Sequence, residues 1–133
     1  GLNAAMRFGA DDVAGLSGWR AVLAGDLPAL RPEQLGEALG QARGRSFVPD
    51  AAGIGTVLLA VPPGARLDPR FGGHSAAAHA ASGAAPLAGD WPGLRQDVDT
   101  AADLDTVLTL GAGRRTCELL RDLGLTAECA PAA

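Results

Sequence analysis

The sequence predicts an α/β layered domain with a mainly parallel sheet. Three observations predict it: short apolar runs that stop at glycine, proline or aspartate, helical repeats at i, i+3 and i+4 between them, and short connections. The 133 residues, 47% of them apolar, suffice for one domain with a sizeable core, and the chain reads as a single domain, 1–133.

Leu2 to Phe8 carry apolar residues at near-helical spacing and stop at the polar break Gly9 to Asp12. Trp19 to Ala24 reads as a buried strand, so Asp26 follows a strand's C-terminal end. Pro32 suits the first turn of a helix in which Leu35, Ala38, Leu39 and Ala42 recur on one face before Gly44. Ser46 to Asp50 and Thr56 to Val61 read as strands, and the glycine-bearing segment between them fits either a hairpin or a crossover. Pro62 to Gly73 is a loop, Ser75 to Ala81 a helix with Ser75 as N-cap and Gly83 as stop. Leu87 to Asp90 is weakly strand-like, and Gly89 to Gln96 is a loop. Thr100 and Asp103 form a capping-box pattern ahead of Leu104, Val107 and Leu108. A last helix contains Cys117, Leu120 and Leu123, and the Ala- and Pro-rich end is expected to fray.

Charge narrows the function. The 11 basic residues are all arginine, there is no lysine, and 15 acidic residues bring the net charge to -4, so no basic field exists to hold a nucleic-acid backbone. Gly1 to Phe8 lacks the basic and apolar regions of a secretion signal, and no apolar run approaches the ~20 residues of a membrane helix. A cytoplasmic protein is expected, with Cys117 and Cys129 as reduced thiols.

Several residues are candidates for chemistry. Asp97 and Asp99 lie two apart, so on extended backbone both carboxylates face the same way. Asp26 ends a strand, and open α/β sheets bind ligands outside the strands' carboxyl ends. Converging carboxylates repel unless a divalent cation neutralises them, and hard oxygen donors select magnesium or manganese. The competing reading makes Asp26 a loop cap and Asp97 and Asp99 solvated turn residues. Gly72, Gly73, His74 and Ser75 precede the alanine-rich helix, where amide groups and a hydroxyl favour an anion; an ordinary capped helix is the alternative. Gly53-Ile54-Gly55-Thr56 lacks the third glycine of a dinucleotide fingerprint, but the turn brings backbone and the Thr56 hydroxyl toward an anion, unless it is a plain hairpin turn. His74 and His79 are five apart, which does not make a helical zinc pair, and His79 is expected to pack or cap nearby groups. Asp97-Val98-Asp99-Thr100 fits a phosphatase nucleophile pattern poorly, because Pro92 to Gln96 precede it in place of an apolar strand and Ala101 stands where Thr or Val is wanted.

Taken in order, Gly1-Leu2-Asn3-Ala4-Ala5, Asp26-Leu27-Pro28-Ala29-Leu30, Pro49-Asp50 with Gly53-Ile54-Gly55-Thr56, Pro69-Arg70-Phe71-Gly72 with Ser75 and His79, and Leu94-Arg95-Gln96-Asp97-Val98-Asp99-Thr100 resemble one family. It is the 2-phospho-L-lactate or phosphoenolpyruvate guanylyltransferase family of coenzyme F-420 biosynthesis, and the resemblance runs through essentially the whole chain. It implies a Rossmann-like nucleotidyltransferase domain of which this chain is the C-terminal two thirds, with the N-terminal strands absent. It further implies magnesium held by Asp26, Asp97 and Asp99, a phosphorylated three-carbon acid received by Thr56, Gly72 and Ser75, and Asn3 near the GTP side. Two departures stand out: Ile54 where the family usually has Thr, and no counterpart of the family's lysine-bearing upstream loop. That second departure motivates a rival expectation, a non-catalytic remnant or binding module of the same fold.

Overall fold

Strand β3, Thr56–Val61, is buried along its whole length between two neighbours that both run against it. β1 (Arg20–Leu23) matches Arg20 to Val61 and Leu23 to Leu58; β2 (Ser46–Pro49) matches Ser46 to Ala60 and Pro49 to Thr56. The two-residue β4 (Ala85–Pro86) joins β2 in parallel, giving the order β1-β3-β2-β4. The computed structural model describes residues 1–126 and 129, so the end expected to fray, beyond Cys129, lies outside the described residues.

The mainly parallel sheet is thus corrected to a mixed one, in which β1, β2 and β4 share a direction and β3 opposes them. The cause is the Asp50 to Gly55 connection, which is far shorter than the dozen or more residues a parallel crossover needs, so β2 and β3 form a hairpin. β1 is corrected too. It is an edge among the described strands and is alternately half-buried and exposed, where Trp19 to Ala24 had read as buried.

Helices cover both faces. Phe47, Leu59 and Val61 pack with Ala10 of α1 (Leu2–Asp12) and Ala76 of α3 (Ser75–Ala81), while Val48 and Leu58 point the other way, toward Ala38 of α2 (Pro32–Gln41) and Leu94 of α4 (Pro92–Arg95). The alternation Phe47/Val48 and Leu58/Leu59 is what allows one hairpin to feed two cores. A third cluster joins Ala29 to Val107 of α5 (Ala101–Leu110) and to Cys117 and Leu120 of α6 (Arg114–Asp122). None of the helices among the described residues is long and apolar enough to cross a membrane.

Other departures are local. α1 continues through Gly9 to Asp12, and the Arg20 guanidinium donates to the Ala10 carbonyl near its end. His74, rather than Ser75, occupies the N-cap of α3, while Gly83 stops the helix with φ +89°. The loop expected over Gly89 to Gln96 contains α4, started by Pro92, and the strand segment falls at Ala85–Pro86 instead of Leu87 to Asp90. The Thr100 and Asp103 capping box forms as the spacing predicts. The reduced-thiol expectation is overturned by a Cys117–Cys129 disulfide. The expectation rested on the rarity of disulfides in the cytoplasm and on there being only two cysteines; the fold brings their Cα atoms to 5.2 Å, within bridging range.

α4 is held against α2 by side-chain hydrogen bonds and against the Ala29 backbone by close approach. The Leu94 amide donates to Gln34 Oε1 (2.9 Å), Trp91 Nε1 donates to Glu37 (3.1 Å), and a Cβ at Gly93 would stand 2.1 Å from the Ala29 carbonyl oxygen. Gly93→Ala is therefore expected to destabilise the chain by about 1–3 kcal/mol, read as a lowered urea midpoint. In thiol titration under denaturing, non-reducing conditions the chain should show no reactive thiol, and two after reduction.

Candidate active site at the shared end of the strands

Because β3 opposes its neighbours, its first residue lies at the same sheet end as the last residues of β1 and β2. Asp26 follows β1, Asp50 follows β2, and Thr56 opens β3. The segment after β4 passes through α4 and delivers Asp97 and Asp99. Val98 shares a 280 Å³ cavity with Gly25, Asp26, Leu27 and Pro28, so the Asp97 to Asp99 segment runs beside the loop that carries Asp26.

The electrostatics of Asp97 agree with this placement. Burial pushes the half-buried Asp97 carboxyl above the usual carboxylate range; a hydrogen bond from its own backbone opposes this, and Asp50, Asp99 and Asp26 raise it further by repulsion. Three carboxylates from different segments, Asp26, Asp50 and Asp99, therefore act on Asp97. Among the described residues no three His, Cys, Asp or Glu side chains form a ready-made metal set. The cluster is a concentration of hard oxygen donors without closed coordination geometry.

Asp50 is the residue that sequence reasoning noted only within the family motif. Its carboxylate accepts from the Ile54 amide (2.9 Å) and the Gly55 amide (2.7 Å), and its own amide donates to the Gly55 carbonyl (3.1 Å). A Cβ at Gly55 would run into Asp50 Oδ2, so a larger residue there would displace the Asp50 carboxylate from the turn. The Asp-to-glycine spacing ahead of Thr56 is the signal that marks such a side-chain-stabilised turn. Arg95 braces the same corner, donating to the carbonyls of Pro49 (3.2 Å) and Asp50 (2.9 Å).

Thr56 and Ser75 are brought together, both buried. The Ala76 amide donates to the Ile54 carbonyl (3.0 Å), and Thr56 Oγ1 lies 2.9 Å from His79 Nδ1. Two amides expected to be open at the start of α3 are already engaged: that of Ser75 with the Gly72 carbonyl and that of Ala76 with Ile54. Gly72, at φ +153°, turns the chain into this helix, in backbone space that L side chains rarely adopt. The Asn3 side-chain amide both donates to and accepts from the Phe71 backbone (2.9 and 2.8 Å), tying α1 to the loop before Gly72.

No family model matches the chain. It is 59% identical over 123 residues to the phosphoenolpyruvate guanylyltransferase of Salinispora arenicola, which covers 90% of this chain and 56% of that protein. The chain is a homologue of the phosphoenolpyruvate guanylyltransferases. Proteins of the same name from Nocardia farcinica and Streptomyces coelicolor are 51% and 52% identical over 127 and 121 residues, covering 92% and 87% of this chain and 56% and 57% of theirs. The chain spans about half the length of these guanylyltransferase relatives.

Two outcomes test the site's framework. Replacing Asn3 with Ala removes both hydrogen bonds to Phe71 and should lower stability by about 1–3 kcal/mol, with amide exchange at Phe71 accelerated. His79 supplies a pH dependence. Burial, then Arg45, lowers its pKa below 6.5, Ser75 and Asp68 oppose the shift, and Arg70 adds to it. The unfolded chain takes up a proton near 6.5 that the folded chain refuses, so this contribution is complete above that pH and is lost as pH falls toward the folded-state value. The urea midpoint should drop between about pH 7.5 and 5.5, and drop less in His79→Asn.

Proposed function

We propose that this chain forms the metal- and acid-binding part of a guanylyltransferase that moves GMP from GTP to phosphoenolpyruvate or 2-phospho-L-lactate, releasing pyrophosphate, on the route to coenzyme F-420. The observation that carries this reading is the meeting of Asp26, Asp50, Asp97 and Asp99 at the sheet end that also holds Thr56 and Ser75, in a chain 59% identical to a phosphoenolpyruvate guanylyltransferase. In this reading the domain is a Rossmann-like nucleotidyltransferase of the cytoplasm, completed by strands outside this chain; the order of strand, helix and strand around that end supports the fold.

In this reading Asp26, Asp97 and Asp99 hold magnesium. The donor set suits it: carboxylate oxygens are hard ligands, and a divalent cation offsets the burial, and with it the carboxylate repulsion, that raise the Asp97 pKa. Bound there, the ion supplies charge neutralisation for the polyphosphate. Thr56, Gly72 and Ser75 receive the acid, the hydroxyls and the turn backbone donating to its phosphate and carboxylate. A phosphate oxygen of the acid, held in place, attacks the α-phosphorus of GTP and pyrophosphate departs, with no covalent protein intermediate. The chain's contribution is positioning and fixed electrostatics. Asn3, by holding the Phe71 to Gly72 corner, orients this pocket on the GTP side.

Pyrophosphate release from GTP should depend on added phosphoenolpyruvate or 2-phospho-L-lactate and on magnesium, and should fall about 100-fold or more in Asp97→Asn. Release that ignores the acid, or that survives this substitution, refutes the assignment.

A further inference from the structure

His79 is wholly buried and has two ring nitrogens, both engaged. Nε2 accepts the Arg70 backbone N–H at 2.9 Å, which requires a free lone pair on that nitrogen. A neutral imidazole carries one N–H, so the proton resides on Nδ1. The 2.9 Å contact between Nδ1 and Thr56 Oγ1 therefore has histidine donating and threonine accepting. Phe47 and Phe71 flank the ring at centroid distances of 5.7 and 5.0 Å and hold its plane. The charged groups acting on it are Arg45, Asp68 and Arg70, and the Ser75 backbone also hydrogen-bonds it. Burial keeps it neutral.

This polarity matters for an anionic ligand. Were the Thr56 hydroxyl to donate to histidine, it would offer only lone pairs to an incoming phosphate or carboxylate. With the roles fixed as above, the hydroxyl hydrogen is directed away from the ring. We propose that His79 is a positioning residue for substrate binding, which sets the Thr56 hydroxyl as a donor toward the anionic group of the acid by presenting Nδ1–H to its oxygen. The backbone N–H of Arg70 fixes the tautomer, so the loop just before Gly72 and the hydroxyl that opens β3 are set through one ring. This rests on the reading that Thr56 receives the acid.

Two measurements on the full chain test it. Long-range proton–nitrogen NMR correlations should show His79 as a neutral ring protonated at Nδ1; a ring protonated at Nε2 overturns the proposal without any variant. Calorimetric titration with phosphoenolpyruvate in the presence of magnesium supplies the second. Thr56→Val should weaken binding about 10-fold, and unchanged affinity there refutes the placement of the acid itself. His79→Asn, whose amide N–H takes the place of Nδ1–H, should bind within about 3-fold of the parent, whereas His79→Gln, whose amide reaches the Nε2 position, should weaken binding about 10-fold. If Thr56→Val weakens binding but His79→Gln does not, or if Asn and Gln weaken it equally, the positioning role is wrong while the acid site stands.

Discussion

With β3 running against both neighbours, the beginning of one strand and the endings of two others must occupy a common edge of the sheet. That constraint comes from a connection too short to cross over. From it follow the proximity of Asp50 and Thr56, the path of the Asp26 loop beside them, and the placement of α3 against the Ile54 carbonyl. The burial of β3 on both faces keeps the edge from shifting, because a slip of one residue would exchange Leu58 and Leu59 between two different cores.

The cost of gathering like charges is met by backbone donors. Asp50 is satisfied by two amides of its own turn, and Arg95 grips the carbonyls on either side of the Pro49 to Asp50 peptide. Asp97 has only a hydrogen bond from its own backbone to set against burial and its acidic neighbours, and its affinity for a proton rises. The far end of the sheet is treated differently. There Arg45 donates to the carbonyls of Leu67 and Asp68 and to the Ser82 hydroxyl, which holds the long loop between β3 and α3 in place. A lysine, one flexible point charge, could not reach three partners in this way.

Much of this was legible in the residues. Glycine and proline punctuation gave α2, α3 and the hairpin strands, and the two-residue spacing of Asp97 and Asp99 pointed at the acidic end. What escaped was set by tertiary contact. The direction of β3 was ambiguous because the loop before it fits two connections by composition; only its length against the crossover minimum decides. β1 read as buried from its apolar run, although its exposure depends on which strands flank it. The Cys117–Cys129 link escaped because a pair of cysteines has no pattern beyond separation. His79 looked like a packing residue, and its burial agrees with that; its influence on Thr56 is visible only once both ring nitrogens have named partners.

The Asp50 and Gly55 pair has a wider implication. A methyl group at position 55 would overlap the carboxylate where it lies at position 50, so enlarging one residue obliges the other's side chain to swing out of the turn or to shrink. Either change breaks the hydrogen bonds that the carboxylate accepts from two turn amides, and moves or removes a negative charge in the cluster. The corner's shape and its electrical character thus reside in the same few atoms, and sequence drift at these two positions cannot alter one while sparing the other.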